Sequence, residues 1–282
     1  MGNLYIVATP IGNLDDFSKR GIETLKNCDL ILAEDTRQTL KLLSHFNIKN
    51  KLMSYHKFNE LKKVDQIIEY LKDGKNISLV SDAGTPCISD PGYILVNKAK
   101  EKNINVLAIS GCSAVISALS VSGLDTSSFT FYGFVPQDNK ERKKLFEEIK
   151  YSKVKTKVLY ESPKRIIKLL EELKKEFTDC YVSICHELTK IHEKTIYGNI
   201  NKVYDEFKLD ENANRGEYVV LINNKPIEKK DNNLSIESLL IDEIIKNNIS
   251  LKEAINNIKN KNNNLSKKNI YDASLNLKKY LK

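Results

Sequence analysis

Between residues 4 and 120 one pattern recurs: a short, mainly apolar run, a polar turn, then a longer stretch whose apolar side chains return every third or fourth position. The short runs are LYIVA at 4–8, DLILA at 29–33, KLMSY at 51–55, ISLV at 77–80 and INVLAI at 104–109. The stretches between them fit helices at 18–27, about 37–46, from Leu61 to a stop at Gly74, from near Pro91 through 93–102, and across 111–120. In the third of these, Leu61, Val64, Ile67, Ile68 and Leu71 fall on one helical face. Parallel pairing demands such alternation, because the chain must cross back before it can run the same way again. The pattern predicts an α/β fold, a sheet with helices on both faces.

Residues 120–128, SVSGLDTSS, interrupt the pattern with small, polar, turn-forming residues and mark a hinge. A second unit follows, with predicted strands at 129–135, 156–160, 180–185, 194–200 and 216–222 and helices at 140–150 and 162–177. Ser162 is a candidate N-cap, and Pro163 suits the first helical turn. This unit reads as α+β, or as α/β with a mixed sheet. Beyond it, NNKPIEKKDNN (223–233) reads as a linker, and 236–248, 250–260 and 266–281 as three short amphipathic helices. These form either a module resembling part of a helix-turn-helix or helices packed on the main body. The expected domains are 1–120, 121–223 and 224–282.

The 282 residues, 41% hydrophobic and 29% charged, suit one large globular domain or two moderate ones. No apolar run reaches the ~18 residues of a membrane span. The N-terminal MGNLYIVATPIGN has no basic segment ahead of its short apolar run, so it reads as a first strand rather than a signal peptide, and cytoplasm is the expected compartment. Cysteines 28, 87, 112, 180 and 185 form no CxxC pair and histidines 45, 56, 186 and 192 are scattered, which argues against a disulfide framework and against a metal site. The formal charge of +8 suits polyanionic partners, although 40 of the 45 basic residues are lysine, a bias that genomic coding composition also produces.

In an open α/β sheet, ligands bind outside the C-terminal ends of the strands. Three loops leave such ends in the first unit: T9-P10-I11-G12-N13-L14-D15-D16, the 81–92 loop of VSDAGTPCISDPG, and I109-S110-G111-C112-S113-A114. Each has a glycine that lets backbone approach a ligand closely. The second and third lead into helix starts, whose N–H groups face outward. None is a GxGxxG or Walker-type loop, so classical nicotinamide and nucleoside triphosphate sites are not expected. Further polar sets follow strands at A33-E34-D35-T36-R37, Y55-H56-K57-F58-N59-E60, Y160-E161-S162-P163-K164-R165 and H186-E187-L188-T189-K190. Asp35 or Thr36 is a candidate helix cap, and Arg37 a candidate partner for Glu34 or for a phosphate.

In chain order, V7-A8-T9-P10-I11-G12-N13-L14, A33-E34-D35-T36-R37, Y55-H56 with N59-E60, S81-D82-A83-G84-T85-P86 with I88-S89-D90-P91-G92, and E187-L188-T189-K190 with H192-E193 together resemble the ribosomal RNA small subunit methyltransferase I family, part of the tetrapyrrole methylase superfamily of S-adenosylmethionine enzymes. The resemblance covers residues 3 to about 223 and extends more weakly through the tail. It implies two α/β domains of the class III methyltransferase type with the cofactor in the cleft between them. It also implies a homodimer, and methyl transfer to the 2′-hydroxyl of a cytidine in the decoding region of 16S rRNA within the small ribosomal subunit. Two stretches depart from the family. S110-G111-C112-S113-A114 stands where a PGPSA-like stretch is usual and loses two prolines. E161-S162-P163-K164-R165 stands where an EAPHR-like stretch is usual, Lys164 replacing a histidine but keeping a cation.

Such a transfer is one in-line displacement at a sulfonium methyl. It requires orientation of the acceptor oxygen and is helped by a base or by a cation at the developing alkoxide. For the cofactor pocket the candidates are Pro10, Gly12, Asp82, Gly84, Thr85, Pro86, Gly111, Ser113 and Ala114, with Asp82 toward the positive end or ribose and main chain near 111–114 toward adenine. Glu34 and Glu161 are the candidate bases, with Arg37 and Lys190 beside them as candidate catalytic cations. Candidate RNA contacts are Arg37, His56, Glu60, Lys164, Arg165, Lys190 and Glu193. The acceptor nucleotide is expected to be read by shape and flipped out. A precorrin-type methyltransferase of the same superfamily and a noncatalytic RNA-binding protein that has kept the fold are the alternative readings.

Overall fold

The computed structural model describes residues 1–177, 179–226, 235–261 and 265–279. The chain divides into two compact units, Met1–Ile227 and Glu228–Lys282. Most of the predicted linker at 223–233 lies outside the described residues.

The first sheet contains β1 (Asn3–Val7), β2 (Leu30–Ala33), β3 (Leu52–Ser54), β4 (Ile77–Val80) and β5 (Asn105–Ile109), ordered β3-β2-β4-β1-β5 with every pair parallel. Each strand leads through a crossover to the next, by α1 (Lys19–Asn27), α2 (Thr36–His45), α3 (Glu60–Lys72) and α4 (Tyr93–Glu101), while α5 (Ala114–Val121) follows β5. β2 and β4 are buried along their whole length, which explains why DLILA and ISLV are continuously apolar. Leu30 and Leu32 pack on one face with Val64, Ile67, Ile68 and Leu71 of α3. Ile31 and Ala33 pack on the other face with Leu25 of α1 and Leu43 of α2. Ser18, Asp35 and Ser113 cap α1, α2 and α5 by accepting backbone N–H bonds.

The second sheet contains β6 (Phe129–Phe134), β7 (Thr156–Glu161), β8 (Cys180–His186), β9 (Lys194–Asn199) and β10 (Tyr218–Asn224), ordered β6-β7-β10-β8-β9. Only β6 and β7 pair in parallel, so the sheet is mixed. Helices α6 (Asn139–Tyr151), α7 (Ile166–Glu176) and α8 (Ile200–Lys208) cover one face with a core that includes Ile149, Leu169, Leu173, Val203 and Ile222. Two details differ from the sequence reading. The predicted helix at 162–177 begins as a single 3-10 turn, Pro163–Arg165; Ser162 precedes it without a side-chain cap bond, and α7 proper starts at Ile166. The predicted strand at 194–200 ends at Asn199, whose side chain caps α8, a helix absent from the sequence reading although Ile200, Val203 and Phe207 fall at helical spacing.

In the second unit, α9 (Ile236–Asn247), α10 (Leu251–Lys261) and α11 (Lys267–Lys278) enclose a core of their own, built on Leu240, Ala254, Ile258, Ile270, Ala273 and Leu277. No described helix is long and apolar enough to cross a membrane.

One side chain in the second sheet runs against the rule that buried charges are paired. Lys157 of β7 is 0% exposed, pairs in register with the core residue Ile222, and its Nζ has no hydrogen-bond partner among the described residues. Burial pushes its pKa down to about 8. The unfolded chain therefore binds more protons than the folded one between about pH 8 and the ordinary lysine value, so stability rises with pH across that window. Lys157→Met is expected to raise the Tm at pH 7 by about 2–8 °C and to abolish that rise, both readable by calorimetry from pH 7 to 10.5.

Candidate active site

Strands β1 and β4 lie side by side, yet the chain leaves β1 toward β2 and leaves β4 toward β5, in opposite directions along the sheet. The two connections pass on opposite faces, α1 packing on one and α4 on the other, so this is a topological switch point, where the loops part and leave room for a ligand. The two loops are tied at their base: Thr9 N donates to Gly84 O at 2.9 Å and Gly84 N to Thr9 O at 3.0 Å. Gly84 has φ +80°, a conformation that disfavours a side chain. Thr85 Oγ1 donates to Cys112 O at 2.9 Å and links the loop after β4 to the loop after β5.

These loops face the second sheet across an apolar seam. Ile11 and the α5 residues Val115, Ala118 and Leu119 pack with Val158, Cys185, Leu188, Val219 and Leu221. At the edge of the seam opens a cleft of about 470 Å³, within the range of small-ligand sites. Its walls come from Glu34, residues 82–85, 88–90 and 113–114 on one side and Phe134, residues 160–163, Cys185, Leu188 and residues 217–219 on the other, with Ile11 between.

The cleft is acidic. Glu34, Asp82, Asp90, Glu161 and Glu217 line it, and among the described residues no lysine or arginine does. Two of the five carboxylates are already neutralised. Glu161 is fully buried, with Oε1 2.6 Å from Arg165 Nη2, Oε2 3.6 Å from Arg142 Nη1, and a further bond accepted from Ser162 N at 2.8 Å. Glu217 holds Lys190 Nζ at 2.9 Å. Glu34, Asp82 and Asp90 form no salt bridge among the described residues and act on one another. Burial, then Glu34, pushes Asp90 up to about 6. Burial, then Asp82, raises Glu34, against a smaller opposing pull from His56. Tyr160 on the facing wall is pushed up to about 12 by burial and then by Asp90.

The backbone is strained on both sides of the cleft. Cys87 and Ser89 have φ +70° and +69°, and Glu187 and Thr189 have φ +53° and +67°, all left-handed and none glycine. Such residues cluster where geometry serves a site.

Of the sequence candidates, Glu34, Glu161, Asp82, Gly84, Thr85, Ser113 and Ala114 line this one cleft. Pro10, Gly12, Pro86 and Gly111 belong to the same loops but are not among its lining. A Cβ on Gly12 would sit 2.6 Å from Lys190 Cγ, and one on Gly111 would sit 3.1 Å from Ala8 Cβ, so both glycines serve close packing. Arg37 pairs with Asp35 at 2.6 Å, not with Glu34, and its side chain is 85% exposed; Asp35, not Thr36, caps α2. Lys190 is bound by Glu187 and Glu217, and Glu193 accepts from Thr189 N at 2.6 Å, so both stabilise the 187–193 loop. His56 lies near enough to Glu34 to lower its pKa, with Nε2 3.0 Å from Asn59 Nδ2. Glu60 opens α3, Lys164 is exposed, and Arg165 is turned inward to Glu161 and to Val135 O. Sequence reasoning missed Asp90, Phe134 and Tyr160. Asp90 and Tyr160 stood in quoted motifs but were given no role, and Phe134 passed for an ordinary strand position. The usable signal was the spacing of Asp82 and Asp90 within one strand-end loop.

Residues 3–204 match the family model for tetrapyrrole (corrin/porphyrin) methylases. A Halalkalibacterium halodurans protein named ribosomal RNA small subunit methyltransferase I is 49% identical over 201 residues, covering 71% of this chain and 69% of the relative. A Haemophilus influenzae protein of the same name is 43% identical over 257 residues, covering 90% and 89%. The crystal structure of diphthine synthase matches with a TM-score of 0.60 at 16% identity, over 79% of this chain and 90% of that one, a likeness of fold. The chain belongs to the ribosomal RNA small subunit methyltransferase I family, and with it to the S-adenosylmethionine-dependent methyltransferases of the tetrapyrrole methylase fold.

Proposed function

We propose that this enzyme methylates the ribose 2′-hydroxyl of a cytidine in the decoding region of 16S rRNA, acting on the small ribosomal subunit. The observation that carries the reading is a small-ligand cleft at the switch point whose unpaired charges are all negative, in a chain whose relatives are named for small-subunit rRNA. S-adenosylmethionine bears a sulfonium and an ammonium, and Glu34 and Asp82 suit that charge. Residues 83–85 and 113–114 offer backbone and small side chains to the rest of the molecule. When bound, the cofactor supplies a methyl group open to in-line displacement by an oxygen. The working species is taken as a cytoplasmic homodimer on the strength of the family resemblance.

The chain's own residues then divide the work. Asp90 is the group best placed to take the hydroxyl proton, since it lines the cleft and forms no salt bridge among the described residues. Its raised pKa of about 6 lies near working pH, where a base is most useful. Glu161, committed to Arg165 and Arg142, positions the 161–165 turn instead. Arg37, exposed and held by Asp35, is offered to an RNA phosphate. His56, Glu60 and Lys164 are further proposed contacts on the RNA side, while Lys190, Arg165 and Glu193 hold their loops.

The direct test is transfer of labelled methyl from S-adenosylmethionine to purified small subunits lacking the modification. Label is expected in 2′-O-methylcytidine, and unlabelled RNA from an enzyme that binds the cofactor would sink the reading. Because Asp90 must be unprotonated to accept, kcat/KM should climb as pH rises toward about 6 and level off above it. Asp90→Asn should lower the plateau ~10²–10⁴-fold and erase the acid limb; an acid limb that survives the substitution removes Asp90 from the role. Asp82→Asn should weaken cofactor binding ~10-fold by calorimetry, with KM for subunits unchanged. Arg37→Ala should reduce the salt dependence of subunit binding by about one in slope and leave cofactor affinity alone.

A further inference from the structure

Strand β6 contains an extra residue. Phe131 pairs with Val158 of β7 and Phe134 with Tyr160, so three steps along β6 match two along β7. Gly133 lies in the bulge with φ +69°. Side chains alternate along a strand, so without the bulge Phe134 would share the face of Tyr132. That face packs on the core beneath α6 and α7. The bulge turns Phe134 onto the face of Val158 and Tyr160, the face that meets the cleft. Bulges beside active sites re-aim side chains in this way.

The re-aimed ring is held but not covered. Phe134 and Phe131 both meet Tyr160 edge to face, with centroids 5.2 and 4.9 Å away. Phe134 nevertheless remains 60% exposed while lining the cleft, and Ile88, also lining it, remains 47% exposed. A Cβ on Gly133 would sit 3.1 Å from Ser89 Oγ, so the bulge abuts the residue next to Asp90. A fixed aromatic face, left open beside the carboxylate that would accept the proton, suits a flat ligand with a π surface.

We propose that Phe134, set on the cleft face by the Gly133 bulge, is the stacking platform for the unstacked base of the acceptor nucleotide. This rests on the reading of the acceptor as rRNA and names the surface that receives its base. Stacking on an aromatic ring tolerates any base, so the platform holds the flipped nucleotide and leaves base identity to other contacts.

The experiment compares wild type with Phe134→Leu, Phe134→Ala and Phe134→Tyr on small subunits lacking the modification. Cofactor Kd by calorimetry and Tm are measured alongside. The leucine and alanine variants should lose about 5- to 100-fold in kcat/KM for subunits, with cofactor Kd and Tm close to wild type. Tyrosine, which keeps the ring, should restore the rate. A Phe134→Leu enzyme with wild-type kcat/KM overturns the platform, as does a loss that appears in cofactor Kd, which would place the ring against the cofactor. A loss that follows a fall in Tm and is not restored by tyrosine also overturns it. If wild type itself leaves the subunits unlabelled, the reading of the acceptor falls and takes the platform with it; wild-type transfer with an indifferent leucine variant removes the platform alone.

Discussion

The cleft depends on the apolar seam in which Val115, Ala118 and Leu119 of α5 leave water together with Val158, Cys185, Val219 and Leu221 of the second sheet. Neither sheet closes a pocket by itself. The first ends in five loops above its parallel strands, and the second offers an apolar face left uncovered by α6, α7 and α8. Joining the two buries that face and sets the loops opposite strand ends that carry Tyr160, Glu161 and Glu217. Polar links then fix the register of the loops: Asn13 N donates to Thr189 Oγ1 at 3.1 Å, and Gly12 passes Lys190 too closely for any side chain.

Charge is sorted by partner. Glu161 is buried with two guanidiniums around it, and Arg142 in turn donates from Nε to Glu172 at 2.6 Å. Removing one partner from such a set leaves an uncompensated buried charge, so these residues hold the 161–165 turn rigidly against the cleft. Lys190 between Glu187 and Glu217 does the same for the opposite rim. Glu34, Asp82 and Asp90 are left without such partners, and burial, then repulsion from a neighbouring carboxylate, raises Glu34 and Asp90. A cationic ligand would relieve that repulsion.

Much of this was legible before any fold was built. The alternation of strand and helix stated the parallel sheet, and Glu34, Asp82, Gly84, Thr85, Ser113 and Ala114 could be picked because each follows a recognisable strand by a few residues. Local chemistry sufficed there: strand ends, caps and glycines act over short spans of chain. Helix α8 was missed because its three buried residues, Ile200, Val203 and Phe207, lie in a short segment that directly follows a strand.

The sequence by itself therefore determined the layer architecture, the loops that carry polar groups, and the family. The tertiary structure decided which of those groups face the cleft and which are tied to partners. Arg142, Glu161 and Arg165 became an anchor because the 142–161 pairing crosses 19 positions of chain that no periodicity connects. Asp90 became the candidate base because its pKa is raised by burial between the two sheets and then by Glu34, which reaches it from another strand end. Phe134 turned from core to cleft because one extra residue shifts the strand's alternation, and whether a residue is extra depends on the register of the neighbouring strand.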